Sequence, residues 1–217
     1  MPSKSSRRRR PRKQKTNYTK IIAAVALLAV AAVIIGYVIL NNDNPNPIDE
    51  EINNLTQMKV LFETSMGNIT IQLRDDMPIT TTNFKNLVHN GVYDGTLFHR
   101  VIADFMIQGG DPTTGNWSGG TIANIQDEFT SSNENNRGTI AMANFGEGYP
   151  NTGSSQFFIN VVDNNYLDSL HPVFGEVIEG MDVVDTISNV DTDIDQNSET
   201  FNQPLDDVTI IKASLID

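Results

Sequence analysis

The sequence predicts a mainly β protein, a closed eight-stranded antiparallel β-barrel capped by two α-helices and preceded by one N-terminal transmembrane helix. Three observations predict this architecture. Short β-like runs separated by Gly-rich or polar loops recur from Met58 onward, two other stretches have helical spacing, and residues 21–40 are apolar without a charge. Many short strands with few helices favour a barrel whose open ends the helices cover.

The first elements are a hairpin and a helix. In NITIQL, Ile69, Ile71 and Leu73 alternate with polar residues, and a Gly-containing turn joins this run to KVLFET before it, as in a β-hairpin. Pro78 then opens PITTTNFKNLVHNG, and Gly91 lies just past its end. Pro at the start and Gly after the end are typical of a helix.

Six further strands and a second helix are predicted in the rest of the chain. The helix covers residues 181–189, where Val183, Val184 and Ile187 would form its buried stripe. The strand-like runs are TLFHRVI, FMIQGG, GTIAMA, SQFFINV, PVFGEVI and VTIIKASLI.

The apolar run at residues 21–40 is predicted to anchor the chain in a membrane. As a helix it would span about 30 Å, the thickness of the hydrocarbon layer. A cleaved signal peptide is the competing interpretation, but the run is longer than the usual apolar region and lacks a small-residue cleavage site. Residues 1–20 carry nine cations and no acid, so this flank should be cytoplasmic.

Four segments follow from these features: a basic cytoplasmic tail (1–20), a transmembrane helix (21–40), a flexible linker (41–57) and a folded domain outside the cytoplasm (58–217).

Residues 41–217 hold six cations and all 27 acids, a net charge of -21. This charge argues against nucleic acid as a partner, because that affinity comes largely from Lys and Arg. The absence of Cys excludes thiol nucleophiles, thiolate metal sites and disulfides.

Three blocks hold residues that the strand pattern does not need. Aromatic residues in strands most often belong to a core, and an Arg at a barrel rim is most often paired with an acid. The residues alone therefore indicate no more than an apolar pocket with one Arg and one His. The candidates are Arg100, Phe105, Met106 and Gln108 in the first block, Ala143, Asn144, Gln156 and Phe158 in the second, and Tyr166, Leu167 and His171 in the third.

Three motifs occur in a fixed order: FHRVI with FMIQGGDP, then MAN with SQFFI, then the pattern L...H.VFG. In these motifs and their order the chain resembles the cyclophilin family of peptidyl-prolyl cis-trans isomerases. The resemblance covers roughly residues 58–217. It implies an eight-stranded barrel with two helices and a monomeric domain. It also implies activity on proline-containing polypeptides without a metal or organic cofactor.

The resemblance also implies roles for individual residues. It makes Arg100 the catalytic arginine and Gln108 its support, with Phe105 beside them. The remaining assignments are a proline pocket of Phe105, Met106, Phe158, Leu167 and His171, and a substrate groove lined by Ala143, Asn144, Gln156 and Tyr166.

The chain departs from the family pattern at three places. Tyr166 stands where a Trp is common, the loop after Asn144 is lengthened by residues 145–149, and Ala103 replaces a usual Pro. The arginine and the pocket are retained, so an active isomerase is predicted. The loss of the Trp predicts weak binding of cyclosporin-type inhibitors.

Three alternatives stay open at this point. The domain could hold proline-containing segments without turning them over. A metal-dependent hydrolase could use His89, His99 and His171, although no paired-His spacing is present. The acidic stretch 191–199 resembles a calcium loop, but Gln196 and Asn202 replace the required Gly and Glu, so a solvated loop is predicted there.

Overall fold

The structure of the protein, a computed structural model, describes residues 58–115 and 120–217. The predicted tail, transmembrane helix and linker lie outside the described residues. Within them, no helix has the length and apolar character needed to cross a membrane. The described residues form eight strands and two helices: β1 (Lys59–Thr64), β2 (Gly67–Leu73), α1 (Pro78–His89), β3 (Arg100–Ile102), β4 (Met106–Gly109), β5 (Thr139–Met142), β6 (Phe157–Asn160), β7 (Val173–Glu179), α2 (Met181–Ser188) and β8 (Ile210–Ile216).

These elements confirm the predicted mainly β class with two helices. Each strand-like run of the sequence contains one strand, and both helices lie where their apolar spacing indicates. The strands form one antiparallel sheet in the order β3-β4-β6-β5-β7-β2-β1-β8. Two short 3-10 turns, Pro112–Thr114 and Asn165–Leu167, lie in the loops beside this sheet.

The predicted closure of the barrel is wrong. The sheet is curled into a half-barrel whose edge strands β3 and β8 do not pair with each other. The segment before β3 meets the start of β8 at an isolated bridge between Leu97 and Thr209 and through a few backbone hydrogen bonds. The reason is that β3 has three residues, and the loop before β8 occupies its outer edge, with the Val101 N–H donating to the Asn202 carbonyl at 2.8 Å. That loop satisfies backbone groups that an edge strand would otherwise expose.

An aromatic cluster fills the concave side of the sheet. Phe84 of α1 lies 4.9 Å from Phe174 and 5.8 Å from Phe157 between ring centroids, and Phe157 stacks on Phe62 at 5.3 Å. These rings are fully buried, and burial of each contributes roughly 1.5–3 kcal/mol. The cluster fixes α1 against the sheet.

A second, smaller apolar cluster lies on the opposite face of β4, β5 and β6. Its buried members are Met106, Ala141, Phe158, Leu167 and Val173. Successive side chains of a strand point to opposite faces. Each of these short strands therefore supplies both clusters, and the second cluster is the floor of the site described next.

Candidate active site

A row of side chains crosses the strands on the face that carries the second cluster. Arg100 on β3 pairs in register with Gln108 on β4, Gln108 pairs with Phe158 on β6, and Phe158 pairs with Ala141 on β5. Directly opposed residues of antiparallel strands have their side chains on the same face. The pairing of the sheet thus places one cation, one amide and one aromatic ring side by side.

This row lies along a cavity of ≈ 230 Å³, the size of a pocket for one side chain rather than for a large ligand. Nine of the eleven candidate residues from the sequence line the cavity, and two further residues, Phe145 and Gly146, line it as well. Its lining residues are Arg100, Phe105, Met106, Gln108, Ala143, Asn144, Phe145, Gly146, Phe158, Leu167 and His171.

Arg100 is partly buried at the edge of the cavity. Its Nη1 donates to Gln108 Oε1 at 3.1 Å. The two ion pairs in the described part of the chain, Arg74–Asp76 and Arg137–Asp185, do not involve it, so the expectation of an acid-paired rim arginine is wrong for this part. Burial lowers the pKa of Arg100, and the nearby Tyr166 opposes that shift, but a guanidinium stays charged at neutral pH.

Gln156 lies behind the cavity lining rather than in it. Its Oε1 accepts from Gln108 Nε2 at 2.9 Å, and its own Nε2 donates to Asp111 Oδ2 at 3.1 Å. Sequence reasoning missed Asp111, although its place after the Gly pair that ends β4 was a usable signal. Gly110 has φ +83°, and a Cβ there would lie 2.8 Å from the Ser155 carbonyl oxygen, so glycine is required for the turn that brings Asp111 back to Gln156.

His171 forms one wall of the cavity. Its Nδ1 is 3.1 Å from the Met142 carbonyl oxygen, which makes Nδ1 the protonated nitrogen, and its ring meets Phe158 edge-to-face at 5.3 Å. Burial lowers the pKa of His171, against the opposing effects of the Met142 carbonyl and Asp127. A neutral ring packed against Phe158 acts as a wall of the cavity.

Tyr166 stands beside the cavity rather than in it. Its ring is stacked on Phe105, with centroids 6.3 Å apart and planes at 18°, and the residue is 68% exposed. The 3-10 turn Asn165–Leu167 explains the difference from its neighbour, because it buries Leu167 in the cavity and leaves Tyr166 outside. Tyr166 therefore offers an aromatic surface next to the cavity.

The loop after Asn144, which the sequence predicts to be longer than in the family pattern, adds Phe145 and Gly146 to the lining of the cavity. Asn144 holds the start of the loop, with Nδ2 donating to the Leu170 carbonyl at 2.8 Å and Oδ1 accepting from the Gly146 N–H at 2.9 Å. Phe145 is 79% exposed at the rim of the cavity. An exposed ring there enlarges the apolar surface open to a ligand.

The described residues give no support to the metal alternatives. No three His, Asp or Glu side chains in residues 58–115 and 120–217 are grouped so as to hold a metal ion. In the acidic loop, Asp193 accepts from the Asp195 N–H at 2.9 Å and from the Thr200 hydroxyl at 2.6 Å. Its carboxylate is thus hydrogen-bonded within its own loop.

Known proteins are similar to this chain in sequence. The family model described as "Cyclophilin type peptidyl-prolyl cis-trans isomerase/CLD" matches residues 59–215. A peptidyl-prolyl cis-trans isomerase of Acinetobacter baylyi is 47% identical over 144 residues, which cover 64% of this chain and 76% of that protein. The human peptidyl-prolyl cis-trans isomerase-like 1 is 42% identical over 163 residues, covering 71% and 90% of the two chains.

Solved structures are similar as well. A crystal structure of a Cryptosporidium parvum cyclophilin type peptidyl-prolyl cis-trans isomerase has a TM-score of 0.66 and 29% identity, covering 74% of this chain and 98% of that one. A second structure of the same protein, determined in the presence of the dipeptide Ala-Pro, has a TM-score of 0.65, with 73% and 99% covered. The curled eight-stranded sheet with two helices is therefore shared with these proteins.

Proposed function

The chain belongs to the cyclophilin-type peptidyl-prolyl cis-trans isomerases, and we propose that Arg100 and the cavity beside it catalyse rotation about Xaa-Pro bonds of polypeptides outside the cytoplasm. The observation that carries this proposal is the state of Arg100. A permanently charged donor lies at a cavity whose floor is apolar, is held by an amide oxygen and is not ion-paired with any acid in the described residues.

The reaction needs a donor of this kind. Amide resonance makes rotation cost about 18–20 kcal/mol, so an uncatalysed Xaa-Pro bond isomerises in tens to hundreds of seconds. In the twisted transition state resonance is lost, and the prolyl nitrogen becomes pyramidal and regains its lone pair. A fixed N–H of Arg100 interacts better with that nitrogen than with the planar amide, and such differential binding lowers the barrier.

The apolar part of the cavity would hold the ring of the proline. Phe105, Met106, Phe158 and Leu167 supply apolar contacts on several sides, and His171 closes the pocket as a neutral wall. The backbone near Asn144 would hold the residue before the proline. The related Cryptosporidium structure determined in the presence of Ala-Pro supports a proline-containing ligand for this fold.

The location outside the cytoplasm is the second part of the proposal. It rests on the uninterrupted apolar run at residues 21–40 and on the nine cations that precede it, which together orient a single anchor with its N-terminus in the cytoplasm. Clients would then be exported or cell-surface proteins whose Xaa-Pro bonds must reach the native isomer during folding.

The test is exchange spectroscopy by NMR on an Xaa-Pro peptide with catalytic amounts of the full chain in detergent micelles. We expect the cis and trans signals to exchange much faster than in the peptide alone. A refolding assay with a substrate limited by proline isomerisation extends the test to proteins. Binding of the peptide without faster exchange would instead support the non-catalytic binding module and contradict this proposal.

A further inference from the structure

Four side chains form a hydrogen-bonded chain that runs away from the cavity. Arg100 Nη1 donates to Gln108 Oε1 at 3.1 Å, Gln108 Nε2 donates to Gln156 Oε1 at 2.9 Å, and Gln156 Nε2 donates to Asp111 Oδ2 at 3.1 Å. The chain therefore begins at a group that only donates and ends at a group that only accepts.

The two ends fix the orientation of both amides between them. A guanidinium has no acceptor and a carboxylate has no hydrogen to donate. Gln156 must therefore direct its NH₂ group towards Asp111 and its oxygen towards Gln108, and Gln108 must direct its oxygen towards Arg100. Reversing the Gln108 amide would place an NH₂ group against the guanidinium, with no bond between them.

Asp111 is itself held in place by a separate set of bonds. Its Oδ1 accepts from the N–H and the hydroxyl of Thr113, at 2.9 and 2.7 Å, at the start of the 3-10 turn Pro112–Thr114. Its Oδ2 is left for Gln156. One carboxylate oxygen thus caps the turn, while the other is the last acceptor in the series of hydrogen bonds that starts at Arg100.

We propose that Asp111 is a positioning residue for isomerisation, because its carboxylate sets the direction of two glutamine amides and so keeps an oxygen against the guanidinium of Arg100. This inference rests on the proposed catalytic function of Arg100. Asp111 would touch neither the substrate nor the prolyl nitrogen. It would act on the orientation of the guanidinium, hence on the transition state more than on ground-state binding.

Asp111→Asn in the full chain is the first test. Asn retains an oxygen that can cap the turn, but its NH₂ group can also face Gln156, so the amide orientations are no longer fixed. We expect kcat to fall about three- to tenfold, the value of one hydrogen bond, with KM nearly unchanged. Asp182→Asn is the matched control, because it removes one carboxylate from an exposed position in the first turn of α2, away from the cavity and from these hydrogen bonds; we expect wild-type kcat.

The double variant Asp111→Asn with Gln156→Glu separates amide orientation from a merely structural effect. The carboxylate introduced at position 156 would accept both from Gln108 and from the amide introduced at position 111, so the negative charge moves one position along the chain at unchanged net charge. We expect kcat to return towards the wild-type value, together with the wild-type NMR shifts of the Gln108 side-chain amide. A double variant as slow as Asp111→Asn would overturn the proposal, as would wild-type kcat in Asp111→Asn.

Gln156→Leu covers the case in which Asp111→Asn fails to fold. It interrupts the series of hydrogen bonds between Asp111 and Arg100 and leaves the turn that Asp111 caps intact. A reduced kcat is again expected, and an unchanged kcat would contradict the proposal. Arg100→Ala distinguishes this inference from the proposed function. Full activity in Arg100→Ala would contradict the proposed function of Arg100. An inactive Arg100→Ala together with wild-type activity in Asp111→Asn would contradict only the positioning role of Asp111.

Discussion

Two adjacent phenylalanines in β6 lie on opposite faces of the sheet, one in the core and one at the cavity. Phe157 is fully buried in the aromatic core, and Phe158, the next residue, lines the cavity and touches the ring of His171. The strand alternation that separates them also separates Ile107 from its neighbours Met106 and Gln108. At the scale of the residue, the site exists because short strands present one side chain to the core and the next to the cavity.

Tyr166 carries the first prediction at this scale, which concerns cyclosporin-type inhibitors. The resemblance implies that the usual Trp donates its indole N–H to the cyclic peptide, and a phenol cannot place a donor at that position. With the lost contact area, the inhibitor should bind roughly ten- to a hundredfold more weakly. Tyr166→Trp should strengthen inhibition and change peptide turnover only modestly, as measured by inhibitor titration of the two proteins.

The control for that titration is turnover without the inhibitor, because Tyr166 lies outside the cavity. Low-nanomolar inhibition of the wild-type protein would contradict the account. So would an unchanged inhibition constant in Tyr166→Trp.

The second prediction concerns acid. Burial lowers the pKa of His99 and of His171 below their ordinary value of 6.5. Below pH 6.5 the unfolded protein therefore binds more protons than the native one, and the free energy of unfolding falls as the pH drops. Above pH 6.5 both histidines are neutral in both states, so this loss does not occur. Urea unfolding at pH 5 and pH 7.5 should show this loss.

His171→Gln is the variant that assigns part of this effect, since it should flatten the pH dependence between pH 5 and 7. Carboxylates with lowered pKa values, such as Asp76 and Asp185, act in the same direction. Their ordinary pKa is 3.8, so their contribution is lost at lower pH than that of the histidines. Stability independent of pH between 5 and 7 would contradict the prediction.

At the scale of the element, the loop of residues 145–149 supplies part of the cavity rim. Phe145 lines the rim, whereas Tyr149 packs edge-to-face on Phe145 at 6.5 Å and does not line the cavity. An aromatic residue before the proline of a substrate would lie near Phe145. Contact over about 40 Å² at about 25 cal/mol per Å² is worth about 1 kcal/mol, or roughly fivefold in affinity.

Phe145→Ala should therefore raise KM about fivefold for a Phe-Pro peptide and change it little for a Gly-Pro peptide. Tyr149→Ala is the matched control, because it removes the second exposed ring of the same loop. Equal effects of Phe145→Ala on both peptides would show that the ring does not contact the substrate.

Most elements could be predicted from the sequence, and the failures have physical causes. Alternation in NITIQL and the Pro start and Gly stop around α1 are local signals, so β2 and α1 begin and end close to the predicted residues. The open edge could not be predicted, since it depends on a distant bond between Val101 and Asn202. The Gly pair before Asp111 marks a turn, but the hydrogen bond to Gln156 could not be predicted for a similar reason, because the two residues are 45 positions apart.

At the scale of the whole molecule, the charge distribution predicts the topology. Nine cations precede residue 21, and none occurs in the 18 residues after residue 40, so we expect a single anchor with the isomerase domain outside the cytoplasm. Protease added to intact spheroplasts should digest the domain, while a cytoplasmic marker protein stays intact. Digestion of the domain only after lysis would contradict this orientation.

The central claim is that a cation held by Gln108 at the edge of a cavity with an apolar floor catalyses the rotation. Its most direct measurement is the exchange rate of an Xaa-Pro peptide with Arg100→Ala, alongside peptide affinity and melting temperature. Removal of one preorganised donor should slow exchange about a hundred- to a thousandfold, while the protein stays folded and still binds the peptide. Near-normal exchange in a folded Arg100→Ala protein would contradict the account.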